Sequence, residues 1–302
     1  MKTVFGPDFF CIGGMRCGTT WLWKNLRKHE EIFLNPKKEL HFFDASSKFP
    51  TPSQLEVDSV FNRVFSKKKN CVDYRNGVWR DLVVRSSNFQ EKMWYISYYF
   101  GKKDIKMYRN LFRKKINRVG GDITPGYSLL GDEKVEEIAK EFPGSKILYI
   151  LRNPIDRTWS QLNYNVNKGD IKLPKDIGLL KRIVIQDFVM NRNAYTKIIR
   201  RWRKYFGSDN MKIIFFEDIQ TAPQETLVKI FEFLEVEGRN SAFVADAREK
   251  VNTTYKDAIP VELKRFLACN LFGELKELES EFGEKAGIWR KDAEDAIGMN
   301  LR

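Results

Sequence analysis

Phe9-Phe10-Cys11-Ile12 is an uninterrupted apolar run that meets Gly13 and Gly14 and gives way to a segment in which Leu22 and Leu26 recur four residues apart. That order predicts a short strand, a glycine-bearing loop and a helix from Thr19 to His29. Lys146-Ile147-Leu148-Tyr149-Ile150-Leu151 is again nearly continuous in apolar residues, the pattern of a strand buried on both faces of a parallel sheet. Asn153 suits an N-cap and Pro154 a first helical residue, so a further helix starts at that strand's end. Between these segments Val135, Ile138, Ala139 and Phe142 keep the spacing of one helical face over Glu133 to Phe142, with Asp132 as its cap.

Downstream, Tyr195, Ile198, Ile199, Trp202 and Phe206 share another face, closed by Gly207. A strand over Met211 to Phe216, a helix opened by Pro223 and a long helix from Pro260 to about Phe282 complete the pattern. Strands alternating with helices predict an α/β fold of three layers, P-loop-like, with a central parallel sheet of about five strands flanked by helices. No repeat or linker divides the chain, so residues 1–302 read as one domain with a substrate-facing insertion at about 45–118. That insertion mixes basic clusters with Trp79, Trp94, Tyr95, Tyr98, Tyr99, Phe100, Tyr108 and Phe112. Rings interleaved with cations suit an acceptor site, while the offsets of Trp94, Tyr95, Tyr98 and Tyr99 equally suit the buried face of a helix.

Composition narrows the chemistry. Lys and Arg number 53 against 40 Asp and Glu, a net charge of +13, so the surface attracts anions: nucleic acid, acidic polysaccharide or a polyphosphorylated nucleotide. Four cysteines without paired spacing, and only two histidines, argue against zinc and for reduced thiols. Cys17 falls where a helix N-terminus would lower a thiol pKa, although a small residue tolerated in a tight loop is the preferred reading. Without a signal-like segment or an apolar span of about 18 residues, the expectation is a soluble, cytoplasmic protein.

Gly13 and Gly18 have P-loop spacing, in which backbone N–H groups and the following helix wrap an anion. A nucleotide P-loop places lysine after the second glycine. Thr19 stands there instead, which leaves Arg16 as the loop's one cation. In Lys37-Lys38-Glu39-Leu40-His41-Phe42-Phe43-Asp44, Glu39 and His41 lie two apart and would face the same side of an extended segment. Arg152 stands at a strand end where an NTPase often carries its magnesium-binding aspartate, and Ser160 follows eight residues later. A guanidinium fork and a hydroxyl suit a phosphate.

In order and spacing these segments resemble the sulfotransferases that use 3′-phosphoadenosine 5′-phosphosulfate (PAPS), and the Lys-Glu-x-His-Phe-Phe stretch is similar to that of the heparan sulfate group. The resemblance implies a 5′-phosphosulfate loop of Arg16, Cys17, Gly18, Thr19, Thr20 and Trp21, and a 3′-phosphate site of Arg152 and Ser160. It makes Glu39 the general base and His41 its orienter or substitute, and folds Lys256, with Arg248, over the nucleotide. Lys38, Trp94, Tyr98, Thr124 and Tyr127 are the implied acceptor contacts. One departure stands out: Ile123 replaces the lysine of the family's Glu-Lys-Ser-Pro turn.

The implied activity is in-line sulfuryl transfer from PAPS to a hydroxyl or amine of a saccharide, glycoconjugate or small molecule. It releases 3′-phosphoadenosine 5′-phosphate (PAP), with no metal, nucleic acid or membrane span. A divergent P-loop kinase or NTPase is the alternative that Thr19 and Arg152 disfavour, and a non-enzymatic polyanion-binding protein is the one that charge favours.

Overall fold

All five residues of strand β1 (Phe9–Gly13) are buried, and their side chains alternate between two cores. Phe10 and Ile12 enter the larger one, Phe9 and Cys11 the smaller. The computed structural model describes residues 5–44, 59–67, 69–237, 247 and 258–298. Helix α1 (Thr19–Leu26) and strand β2 (Ile32–Leu34) follow β1. Then come α2 (Val60–Phe65), α3 (Lys69–Trp79) with a π-helical turn over Arg80–Arg85, α4 (Phe89–Phe100) and α5 (Ile105–Asn110). Strand β3 (Val119–Ile123), α6 (Asp132–Glu141), β4 (Lys146–Leu151) and α7 (Pro154–Asn167) build the middle of the fold. After α8 (Ile177–Val184), α9 (Asp187–Met190) and α10 (Tyr195–Phe206) come β5 (Met211–Phe215), α11 (Phe216–Thr221), α12 (Pro223–Leu234), α13 (Val261–Phe282) and α14 (Glu284–Ile297).

The five strands form one parallel sheet in the order β2-β3-β1-β4-β5. Leu148 and Ile150 of β4 face the smaller core with Leu22, Leu227 and Phe231, and Ile147, Tyr149 and Leu151 face the larger one with Ile138, Trp202 and Leu275. Both faces are therefore covered by helices, which is why β4 is apolar at successive positions. Gly121 of β3 has to be glycine, because a Cβ there would lie 2.0 Å from the Phe9 ring. The order of strand addition reverses at β1, with β3 on one side and β4 on the other. The loops leaving the carboxyl ends of β1, β2 and β4 open at that switch point, where α/β sheets bind ligands.

Three predicted boundaries move. Helix α1 ends at Leu26 rather than His29, whose ring instead packs 4.6 Å from Phe231 as the chain turns into β2. Gly131, not Asp132, caps α6, and Asp132 is its first helical residue. Phe216 opens α11 instead of closing β5. The stretch before β3, read from the sequence as an insertion, is helical through most of its described residues. Trp94, Tyr95, Tyr98 and Tyr99 form the buried face of α4, with Trp94 and Tyr98 stacked at 5.5 Å.

Candidate active site

Gly18 adopts φ +96° as the N-cap of α1, a conformation that strains any side chain, and no side chain caps that helix. The first-turn N–H groups are thus presented to the mouth of the loop, together with the positive end of the helix dipole. Cys17 turns inward and is buried. Burial outweighs the neighbouring Arg157 and Arg152 charges and pushes its thiol up to about 11. Cys17 is thus a small residue packed beneath a tight loop, the reading preferred from the sequence, and its sulfur does not sit at the helix mouth.

The missing P-loop lysine is replaced from elsewhere in the chain. Lys38 Nζ donates to Thr19 Oγ1 at 3.2 Å and Thr20 Oγ1 at 3.0 Å, and pairs with Glu39 Oε1 at 2.9 Å. Arg16 is the cation within the loop, and Lys38, expected as an acceptor contact, joins it from another segment at the start of α1. Sequence spacing carried no sign of this, since the contact joins residues nineteen apart across the β1–β3 region.

A second cationic cluster lies beside the first. Arg16 Nε donates to Ser160 Oγ at 3.3 Å, and its guanidinium lies 4.5 Å from the centre of the Tyr164 ring. Arg152 donates to the Arg16 carbonyl at 3.2 Å and stacks over Phe216 at 4.7 Å. Asn153 caps α7 by accepting from Ile155 N, which fixes the exit of β4 and hence Arg152. Burial pulls the Arg16 pKa below its ordinary value; Tyr164 opposes it, and the nearby Arg152 charge adds a lesser contribution to the lowering. Two guanidiniums this close are held at an electrostatic cost that an anion between them offsets. Arg16 and Ser160, assigned from the sequence to opposite ends of a nucleotide, touch each other here.

Glu39 and His41 do not lie on an extended segment. Both have left-handed backbones, φ +64° and +50°, yet the carboxylate and imidazole still meet, with Glu39 Oε2 3.5 Å from His41 Nε2. His41 Nδ1 lies 2.8 Å from Asp44 Oδ2, and Asp44 is fully buried. Asp44 is the member of this triad that sequence reading passed over; its position three residues after His41 is the only local sign of it. Burial alone would raise the pKa of Glu39, but the His41 hydrogen bond and the Lys38 charge outweigh it and hold it down at about 2. Burial would lower the pKa of His41, but Asp44 and Glu39 hold it up at about 10.

A buried polar network holds this unusual backbone. Thr124 Oγ1 accepts from Leu40 N at 3.0 Å and donates to Asp122 at 2.6 Å, while the Tyr127 hydroxyl accepts from Phe42 N and donates to Asp122. The Tyr98 hydroxyl donates to the Leu40 carbonyl at 2.9 Å. Trp94, Tyr98, Thr124 and Tyr127, expected as acceptor contacts, are all buried at no more than 7% exposure. Three of them hold the Glu39–His41 segment in place, and Trp94 packs in the core beneath it. Lys256 and Arg248 lie outside the described residues.

The family model for the sulfotransferase family matches residues 7–240, well over half of the chain. The chain belongs to the sulfotransferase family. Among relatives of this sulfotransferase, the human bifunctional heparan sulfate N-deacetylase/N-sulfotransferase 2 is 22% identical over 241 residues, covering 76% of this chain and 22% of that protein. The membrane-associated sulfotransferase kil1 of Dictyostelium discoideum is 24% identical over 325 residues, covering 91% of this chain and 65% of that protein. The chain thus spans less than two thirds of the length of either relative. A sulfotransferase crystal structure from Alicyclobacillus acidocaldarius has a TM-score of 0.64 at 22% identity, covering 94% of this chain and 98% of that one. The sulfotransferase domain of the Synechococcus PCC 7002 olefin synthase has a TM-score of 0.53 at 16% identity, covering 82% and 79%. Both share the fold.

The raised His41 pKa gives the sulfotransferase a signature in stability. A group raised from 6.5 to about 10 stabilises the fold fully below about 6.5, and that contribution is lost as pH rises through about 10. In melting curves the advantage of wild type over His41→Gln should therefore shrink steadily across that window. An advantage independent of pH would mean that His41 is not held protonated by its two carboxylates.

Proposed function

We propose that the protein moves the sulfuryl group of PAPS to a hydroxyl or amine acceptor by in-line displacement, with Glu39 as general base. The observation that carries this reading is the convergence of Arg16, Arg152 and Lys38 on an uncapped helix N-terminus, with an ionised carboxylate in contact with Lys38. Bound PAPS supplies the sulfuryl group and leaves as PAP.

Arg16 and the first-turn amides of α1 stabilise negative charge on the bridging oxygen of the leaving nucleotide. Arg152 and Ser160 hold the 3′-phosphate and so position the donor. Lys38, from its place on the Thr19 and Thr20 hydroxyls, meets the sulfuryl oxygens and supplies the cation that neither position 19 nor position 123 provides. As Lys38 turns from Glu39 toward those oxygens, the carboxylate loses one of the partners that depress its pKa and becomes a stronger base. Glu39 then takes the acceptor proton. His41, protonated between Asp44 and Glu39, orients the carboxylate and is in the wrong state to act as the base itself.

The acceptor class rests on the heparan-type segment around Glu39 and on the name of the human relative, which both point to a saccharide or glycoconjugate. Metal-free binding of PAP compared with ADP tests the donor assignment, and preference for the nucleotide bearing the 3′-phosphate is the expected result.

A further inference from the structure

Residues 59–118 carry 16 Lys and Arg against 4 Asp and Glu, a net +12 in a chain of +13. The same span carries eleven of the eighteen large hydrophobic side chains that are exposed among the described residues. Helix α4 is apolar on two sides. Opposite its buried face, Phe89, Met93, Ile96 and Phe100 are spaced four, three and four apart on a single stripe, and Phe89 is 75% exposed. An exposed apolar stripe opposite a buried face marks a surface that meets protein or lipid. The turn before it leaves Trp79, Val83 and Val84 more than 60% exposed, and on α2 the exposed rings of Phe61 and Phe65 lie 4.6 Å apart.

Cations accompany these rings. Arg80, Arg85, Lys92, Lys102 and Lys106 are exposed. The nearby carboxylate of Asp81 is buried and shared among Lys37, Arg80 and Arg85, so it leaves the surface basic. An acidic polysaccharide would be attracted by the charge but gains little from a stripe of Phe, Met and Ile, and a nucleic acid, which can stack on the Phe rings, gains little from Val83, Val84, Met93 and Ile96. A protein interface of this apolar character is usually depleted of lysine at its centre. The surface of an anionic bilayer rewards both features together, with cations at the headgroups and aromatic and aliphatic side chains at the acyl boundary.

We infer that α2, the turn over Arg80–Arg85, α4 and the start of α5 present a face that docks the protein onto anionic lipid bilayers. The face lies on the membrane without spanning it, since no helix among the described residues is long and apolar enough to cross. It is tied to the segment carrying Glu39: Lys37 Nζ reaches Asp81 at 2.8 Å and Tyr99 at 3.1 Å, and Tyr98 holds the Leu40 carbonyl.

The test is co-sedimentation with phosphatidylcholine vesicles, with and without phosphatidylglycerol, for wild type and a Phe61→Ser/Phe89→Ser variant. Wild type should bind the anionic vesicles, lose binding as salt rises, and bind about tenfold more tightly than the variant. Both changed side chains are solvent-exposed, so unaltered circular dichroism and melting of the variant serve as the control for folding. Absence of vesicle binding overturns the inference, as does equal binding to neutral vesicles or equal binding by the variant. Concentration-dependent self-association abolished by the same substitutions also overturns it, in favour of a second copy of the chain as the occupant.

Discussion

Glu39→Gln is expected to lower turnover by roughly 10²–10⁴-fold while PAP affinity stays within about twofold, as for loss of a general base that does not hold the donor. The substitution keeps the shape of the side chain and removes its negative charge. In the variant Asp44 Oδ2, 2.8 Å from Nδ1, is the carboxylate that still favours the protonated form of His41, so the imidazole is not expected to take over as base at neutral pH. Steady-state turnover and nucleotide affinity measured on the same preparation separate the outcomes. Full activity in Glu39→Gln would assign the base to His41 or to water. A parallel loss of PAP affinity would place Glu39 in the donor site instead.

Lys38→Met has the second-largest expected effect, a loss of roughly 10²–10³-fold in turnover, the scale for removing one donor that stabilises transition-state charge. The diagnostic is the pH profile of kcat/KM, which reports the free enzyme, where Lys38 pairs with Glu39. Lys38 is one of the groups that hold the Glu39 pKa down at about 2, so its removal moves the acid limb of the profile to higher pH. A structural role for Lys38, bracing Thr19 and Thr20, would lower melting temperature and leave that limb in place. An unchanged limb with unchanged turnover would return Lys38 to the acceptor side.

What was legible in the sequence follows from how local each signal is. The β1–loop–α1 unit and the β4–α7 unit are written in contiguous apolar runs, a glycine pair and an Asn-Pro cap, and they fold as their residues predict. The aromatic positions of α4 were legible as one helical face, but burial and acceptor binding suited that face equally, because rings interleaved with cations fit either. The two left-handed residues Glu39 and His41 were not legible at all, since Thr124, Tyr127 and Tyr98 impose that backbone from distant elements. For the same reason the Lys38 contact to Thr19 and Thr20, the burial of Asp44 against His41, and the meeting of Arg16 with Ser160 emerge only once the sheet brings its loops together.

The donor site is the central claim, and calorimetric titration with PAP and with ADP, without metal, on wild type and Arg152→Ala tests it most directly. The account predicts that wild type binds PAP at least about tenfold more tightly than ADP, and that Arg152→Ala abolishes the preference by weakening PAP alone, the share of a charge-assisted phosphate contact. Equal affinity for the two nucleotides in wild type, or a PAP preference that survives Arg152→Ala, would contradict it.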